Sequence, residues 1–266
     1  MKSLEGKTIW LTGASSGIGE ALAYLLNKEG SNLIISARRK EELERVQNNC
    51  EDPSRVKILT VDLADAFSLP QKAKEAERMW EGGIEVLINN GGISQRDKAI
   101  NTSLEVDRKL MEVNYFGTIA LSKALLPGMI ERQSGHHVVI TSAVGIISTP
   151  YRSAYSAAKH ALHGFYDALR TEVYEDNIKV TIALPGFIRT SISMNALLGD
   201  GSKQNTMDDA QANGMTAEEC GQHIIRAIKK EKEEVYIGGL KEKSGIYLKR
   251  FAPGLFSKVV RKMKVT

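Results

Sequence analysis

Lys7-Thr8-Ile9-Trp10-Leu11-Thr12-Gly13-Ala14-Ser15-Ser16-Gly17-Ile18-Gly19 carries three patterns in succession. Lys7 to Leu11 reads as a short buried strand. A turn built on three glycines and two serines follows. Ala21, Leu22, Leu25 and Leu26 then recur at helical spacing, and that helix ends near Gly30. Strand, glycine turn and helix together make a phosphate-binding device. Glycines let the backbone approach a pyrophosphate, and a helix N-terminus offers unpaired N–H groups and the positive end of its dipole. The spacing is Gly-x-x-x-Gly-x-Gly with no Gly-Lys-Ser/Thr after it, which argues against a P-loop. An ordinary tight turn is the alternative, and three glycines with two serines at a strand–helix junction weigh against it.

Outward from this turn the alternation repeats. A second strand, Asn32 to Ala37, ends in Arg38-Arg39-Lys40. The adenosine ribose of a dinucleotide lies at such a strand end. NAD selectivity asks for a carboxylate there, whereas guanidinium groups suit a 2′-phosphate, so Arg38 and Arg39 favour NADP(H) over NAD(H). A solvated basic helix start is the other reading. Val56 to Val61 is a third strand, closed by Asp62 and Leu63; Asp62 can accept from an adenine amino group or cap the next helix, about Phe67–Trp80. Ile84 to Ile88 is the fourth, followed by Asn89-Asn90-Gly91-Gly92, whose glycines leave room for a cofactor against the backbone.

A long helix then runs from about Ser103 to Ile130 with Asn114 inside it. Asn is a poor mid-helix residue. Either its side chain bonds back to its own helix, or the helix opens locally and holds a water. His137 to Thr141 is the fifth strand, with Ser142 at its end, and Lys179 to Leu184 is the sixth, followed by Pro185-Gly186-Phe187-Ile188-Arg189-Thr190. Strands and helices alternating in this way predict an α/β fold, a doubly wound parallel sheet (Rossmann-like) with helices on both faces. Ligands of such sheets sit beyond the carboxyl ends of the strands. Gly13, Arg38, Asp62, Asn90, Ser142 and Pro185 all fall at those ends, which predicts that they form one site.

Between the fifth and sixth strands, Ala154, Ala157, Ala158, Ala161, Leu162, Phe165, Ala168 and Leu169 mark one helical face. Tyr155 and Lys159 stand one turn apart beside it. A neighbouring ammonium lowers the pKa of a phenol and makes it a usable acid and base near neutrality. Taken alone, the pair equally fits a half-buried Tyr beside a snorkelling Lys.

The chain has 266 residues, 42% of them apolar and 26% charged, as in a soluble globular protein. No internal break or repeat divides it, so a single domain is expected over residues 1–245. Its two cysteines, Cys50 and Cys220, form no CxxC pair, and no metal cluster is legible; a reducing, cytoplasmic setting is expected. No apolar run approaches a membrane span and no signal-peptide core is present. Residues 191–215 are polar, carry Met194, Leu197, Leu198 and Met207, and read as a flexible lid over substrate; a disordered surface loop is the bland reading. A helix from about Thr216 to Lys230 and a last strand at Val235–Gly238 complete the domain.

Residues 241–266 hold eight Lys or Arg against one acid and are therefore +7, leaving −3 on the rest of a chain whose net charge is +4. From Ile246 the basic residues mix with Tyr247, Leu248, Phe251, Leu255, Phe256, Val259 and Val260, interrupted at Pro253-Gly254. The segment 246–266 fits a basic amphipathic helix for peripheral contact with anionic lipid, or a C-terminal helix packing on its own domain or a partner subunit. Nucleic acid is not expected, since no binding fold accompanies the charge.

The sequence resembles the short-chain dehydrogenases/reductases of the compact, single-domain type over about residues 6–240. The resemblance rests on Thr12-Gly13-x3-Gly17-x-Gly19, Asn89-Asn90-x-Gly92, Asn114, Ser142, Tyr155-x3-Lys159 and Pro185-Gly186 with Thr190. It implies an oxidoreductase that interconverts a carbonyl and an alcohol with a nicotinamide cofactor. Tyr155 would exchange the proton, Lys159 would tune it and bind the nicotinamide ribose, and Ser142 would polarise the substrate oxygen. Asn114 would hold a water leading from Lys159 to solvent, and Ile188 and Thr190 would hold the carboxamide. Phe187, Met194 and Leu197 are the expected substrate-side residues. The family commonly forms homodimers or homotetramers through the helices carrying Asn114 and Tyr155. Asn89-Asn90-Gly91-Gly92 replaces the family's usual Asn-Asn-Ala-Gly, and with Ile93-Ser94-Gln95-Arg96 it resembles a subgroup around dehydrogenase/reductase SDR family member 7. That likeness implies a lipophilic carbonyl substrate, steroid-like or retinoid-like. A 3-oxoacyl-thioester or ketosphinganine reductase is an alternative, as is a non-catalytic NADP-binding regulatory protein.

Overall fold

The computed structural model of the chain describes residues 1–261. Seven strands form one parallel sheet: β1 (Thr8–Thr12), β2 (Asn32–Ser36), β3 (Val56–Ile58), β4 (Val86–Asn89), β5 (Gly135–Ile140), β6 (Ile178–Pro185) and β9 (Glu234–Ile237). Their spatial order is β3-β2-β1-β4-β5-β6-β9. A separate two-stranded piece pairs β7 (Ile188–Arg189) with β8 (Met215–Thr216). The order reverses between β1 and β4, so the crevice of the sheet opens where Gly13 and Asn90 stand.

Both faces of the sheet are covered because the strands are apolar on both sides. The strand period of two sends Ile9, Leu11, Leu33, Ile35, Val86 and Ile88 to one face. There they meet α1 (Gly17–Lys28), α2 (Lys40–Asn48) and α8 (Ala217–Lys229) through Leu22, Leu26, Leu43, Val46, Ile224 and Ile228. Trp10, Ile34, Leu87, Val139 and Ile182 point to the other face. They meet α3 (Leu69–Glu77), α5 (Gly117–Glu131) and α6 (Ser153–Glu172) through Leu69, Leu121, Leu125, Leu162 and Tyr166. Each such side chain removed from water contributes about 1.5–3 kcal/mol, and the resulting rigid sheet fixes its strand ends.

The expected long helix is realised in three joined pieces: α4 (Leu104–Met111), a π-helical turn over Glu112–Phe116, and α5. The expected third helix is shorter than its apolar pattern. It starts at Leu69 behind Ser68, and Phe67 is exposed. Asp62 does not cap it; its Oδ1 accepts from Ala64 N at 3.0 Å instead.

Segment 191–215 departs most from expectation. It is pinned rather than loose. Arg96 N donates to Leu197 O and Leu197 N to Ser94 O, both at 2.9 Å, and Ser193, Ala196 and Asp208 are buried. Its last turns form α7 (Asp209–Ala212). The chain then ends in α9 (Leu240–Phe251) and α10 (Pro253–Val260), and residues 262–266 of the basic tail lie outside the described residues. No helix among the described residues is long and apolar enough to cross a membrane.

Candidate active site

The glycine turn has room for a ligand only because side chains are missing from it. Gly13 adopts φ +65°, and a Cβ on it would meet Gly91 Cα at 2.6 Å. A Cβ on Gly19 would meet Gly13 O at 2.1 Å. Ser16 precedes α1 in extended conformation and makes no side-chain cap, so the first-turn N–H groups of Gly17, Ile18 and Gly19 stay open towards the crevice. Ser15 lies half-buried beside them. Asn90 fixes the turn to β4: its Nδ2 donates to Thr12 O and Gly13 O at 3.1 Å, and Thr12 Oγ1 accepts from Asn90 N and Gly91 N. Leu63 is buried against Gly91, where an added Cβ would lie 2.6 Å from Leu63 Cδ1. Glycine at position 91 therefore goes with a bulky Leu63. Arg38 and Arg39 stand exposed past β2, and their side chains make no hydrogen bond or ion pair among the described residues. Asp62 is exposed past β3.

A second group of residues gathers past β4, β5 and β6. Asn114 is fully buried in the π turn, and its amide pairs with a single residue. Its Oδ1 accepts from Ile93 N at 2.8 Å and its Nδ2 donates to Ile93 O at 2.9 Å. The side chain is thus spent on Ile93. A water at this point would have to be held by main-chain carbonyls that the π turn frees. Gly92 brings the chain close: its Cβ would lie 2.8 Å from Asn114 Oδ1 and 3.7 Å from Lys159 Nζ. Lys159 is 4% exposed, and its ammonium donates to Ile140 O at 2.9 Å. Burial pulls its pKa down to about 8.

Tyr155 is buried, with the Ser142 hydroxyl close enough to its phenol to oppose the effect of burial. Ser142 Oγ also lies 3.3 Å from Pro185 O and accepts from Val144 N. The pKa expectation for Tyr155 needs correction. Burial raises its phenol above the ordinary value; the opposing influences are Arg96, Arg152 and the Ser142 hydrogen bond. Lys159 is not among them, because its Nζ sits 5.8 Å from the phenol ring centroid and is turned to Ile140.

The end of β6 carries Pro185, whose neighbour Gly186 donates to Ile237 O at 2.8 Å. Ile188 is buried, and Thr190 abuts Gly17, with Thr190 Cγ2 3.1 Å from where a Cβ would stand. Of the expected substrate-side residues, Leu197 packs in one apolar cluster with Tyr155, Val144 and Ile93, and Phe187 lies under the Arg152 guanidinium at 5.8 Å. Met194 is 40% exposed and does not join that cluster.

The sequence reading missed a buried ion-pair group. Arg96 Nε and Arg152 Nη2 reach the same oxygen, Asp208 Oδ2, at 2.8 and 3.1 Å. Arg152 was locally legible, standing at the start of α6 three residues before Tyr155. Asp208 gave no signal, because it lies within a polar loop 56 residues from Arg152.

The sequence model of the family described as short chain dehydrogenase matches residues 7–200. Over 98% of its length the chain is 41% identical to "Dehydrogenase/reductase SDR family protein 7-like" of Anopheles gambiae, across 84% of that protein. It is likewise 41% identical to "Dehydrogenase/reductase SDR family member 7B" of Mus musculus, over 97% of this chain and 81% of that one. A solved short-chain dehydrogenase from Streptomyces avermitilis superposes with a TM-score of 0.82 at 30% identity, over 98% of this chain and all of that one. The chain belongs to the short-chain dehydrogenase family, whose members are oxidoreductases acting on CH–OH groups of small molecules, bind NAD(P) and often oligomerise.

Proposed function

We propose that this short-chain dehydrogenase is an NADP(H)-dependent oxidoreductase that interconverts a ketone and an alcohol on a lipophilic small molecule. The observation that carries the reading is the buried contact of the Tyr155 phenol with Ser142, beside Lys159 and at the rim of the glycine cradle. The missing side chains at Gly13 and Gly19 and the open start of α1 fit a dinucleotide pyrophosphate. The free guanidinium groups of Arg38 and Arg39 fit a 2′-phosphate, Asp62 an adenine amino group, and Ile188 and Thr190 the nicotinamide end.

When bound, the nicotinamide supplies or accepts a hydride at its C4. The protein's own part is the proton. Tyr155 donates its phenolic proton to the carbonyl oxygen in reduction and takes it back in oxidation. Ser142 holds that oxygen by a second hydrogen bond, which grows stronger as charge develops. Lys159 keeps a cation at the buried site and can pass a proton towards the π turn at Asn114. Leu197, Val144 and Ile93 exclude water and give the substrate an apolar wall. The exposed ring of Phe116 on the π turn marks the face we assign to a homodimer.

An NADPH-oxidation screen over steroids, quinones, simple ketones and 3-oxoacyl thioesters tests the reading. Turnover of at least one ketone with loss of NADPH absorbance is expected. No turnover above background across the panel, with NADPH still bound, would instead make the chain a cofactor-binding regulatory protein.

A further inference from the structure

Ser142, which lies by the Tyr155 phenol, opens a short turn that is gripped from two sides. The turn itself is stiff. Gly145 N donates to Ser142 O at 2.8 Å, and Ile146 N and Ile147 N donate to Ala143 O at 3.1 and 2.9 Å. A shift at Ile146 is therefore passed on to Ser142. The first grip is α6. A Cβ on Gly145 would lie 2.9 Å from the His163 ring and 3.2 Å from Lys159 O, and Thr141 Oγ1 stands 3.1 Å from His163 Nε2. The second grip is α9. A Cβ on Gly245 would stand 3.3 Å from Ile147 Cδ1, so that helix lies flush on the turn. One helical turn further on, the Lys249 ammonium donates to Ile146 O.

The same ammonium stands 3.5 Å from Nε2 of His160 on α6. His160 Nδ1 lies 2.8 Å from Ser156 O. A carbonyl only accepts, so Nδ1 carries the ring hydrogen, and Nε2 of the neutral ring presents its lone pair to Lys249. Lys249 is half-buried and pairs with no carboxylate among the described residues, so its charge is directed at these two acceptors. One ammonium, 103 residues from Ile146 in sequence, thus joins the turn that carries Ser142 to the helix that carries Tyr155. The chemistry sets the spacing of those two segments. The substrate oxygen must meet the Ser142 hydroxyl and the Tyr155 phenol together, and a misplacement of about 1 Å costs on the order of 10²-fold in rate.

We propose that Lys249 is a positioning residue for this reaction, and that by holding Ile146 O and His160 at once it sets the distance between Ser142 and Tyr155 across the substrate oxygen. The inference rests on the ketone–alcohol reading above. It adds to that reading a residue from the C-terminal helices, outside every motif that carries the chemistry. Lys249 acts through Ser142 and not on the substrate.

The test uses the full chain, NADPH and the best ketone of the screen above. Lys249→Met keeps an unbranched side chain and removes the donor. We expect kcat to fall about tenfold, part of what a full 1 Å misplacement costs, with KM changed by less than about twofold, since the contact matters in the transition state. NADPH binding, followed by fluorescence, should be unchanged, which also shows that the variant folds. Lys249→Arg still donates to a carbonyl and should recover part of the rate. In a Ser142→Ala background, measured at raised enzyme concentration, Lys249→Met should cost less than about twofold, because the group it positions has gone. Phe256→Ala loosens the packing of α10 without touching the Ile146 carbonyl; it should lower the melting temperature and leave kcat unchanged. A Lys249→Met protein with wild-type kcat overturns the proposal and leaves the reductase reading intact. So does an undiminished loss in the Ser142→Ala background, or a fall in kcat for Phe256→Ala equal to that for Lys249→Met, since either makes Lys249 a packing residue. No turnover of any ketone overturns both readings together.

Discussion

The Lys159 ammonium donates to the Ile140 carbonyl at 2.9 Å and stands 5.8 Å from the centroid of the Tyr155 ring. The two residues share a helix and one turn of spacing, yet the cation is anchored to the end of β5 and not to the phenol. Lys159 thus secures α6 to the sheet, while Ser142, two residues beyond the same strand, lies by the acid.

Tyr155→Phe removes the exchangeable proton and leaves the ring. Turnover should fall by about 10²–10⁴-fold, the usual worth of a positioned general acid. The NADPH dissociation constant should move little, because the cradle residues Gly13, Gly19 and Asn90 are untouched. Stopped-flow turnover and fluorescence titration separate the two. A variant retaining a third of wild-type turnover would remove Tyr155 from the mechanism.

The raised pKa of Tyr155 sets opposite pH trends for the two directions. Reduction needs the protonated phenol, which the upward shift caused by burial keeps populated at neutral pH, so its Tyr-dependent limb is flat from pH 6 to 8. Oxidation needs the phenolate, whose share rises tenfold per pH unit below the pKa. Alcohol oxidation should therefore climb steadily from pH 7 to 9.5. Initial rates in both directions across that range check this, and a plateau in oxidation below pH 8 would contradict it.

On the proposed reading, Arg38 and Arg39 stand where the adenosine ribose of the cofactor would end. Arg38→Ala should cost about 10–100-fold in kcat/KM with NADPH, the price of one charge-assisted contact. The same variant should change NADH-dependent turnover by less than about threefold. Equal losses with both cofactors would mean that the guanidinium does not read the 2′-phosphate.

His136 and His137 are buried side by side on β5, with pKa values pulled down to about 4 and about 3. Both stay neutral in the fold, while the unfolded chain takes up protons below about 6.5. Between pH 6.5 and 4 the unfolded state binds more protons, so stability falls as pH falls through that window. Neither nitrogen of His137 has a hydrogen-bond partner. His137→Leu should raise the melting temperature by a few degrees and flatten its decline between pH 6.5 and 4. Thermal melts at three pH values decide, and an unchanged slope would remove His137 from the acid limb.

Leu240, Tyr247 and Phe251 share one face of α9, and Leu255 and Val259 one face of α10, all at least 45% exposed. Lys243, Arg250, Lys258 and Arg261 are exposed along the same two helices. The inner side is fastened to the domain by Lys249, which donates to Ile146 O, and by buried Phe256. We propose that the outer face rests on anionic lipid, at about 1 kcal/mol per basic residue. Co-sedimentation with phosphatidylserine vesicles should be lost on removing residues 240–266 and weakened by salt. Vesicle binding that survives the truncation would show that the helices serve only to pack.

The strand–turn–helix at Lys7–Gly19, the parallel sheet and the gathering of Gly13, Asn90, Ser142, Tyr155 and Lys159 at its carboxyl edge were all determined by sequence alone. Each of these is a local matter. Apolar period fixes strand or helix, glycine fixes where backbone can come close, and a parallel sheet puts every strand end on one side. What only the tertiary structure decided is how charges meet across distant segments. Lys159 turns to Ile140, Asn114 spends its amide on Ile93, and Arg96 and Arg152 converge on Asp208 from a loop that pattern reading took for a flexible lid. Electrostatics in a buried site depends on separation and on exclusion from water, not on order along the chain. The fold was therefore legible in the spacing of residues, while the charge environment of Tyr155 appeared only once the segments were packed.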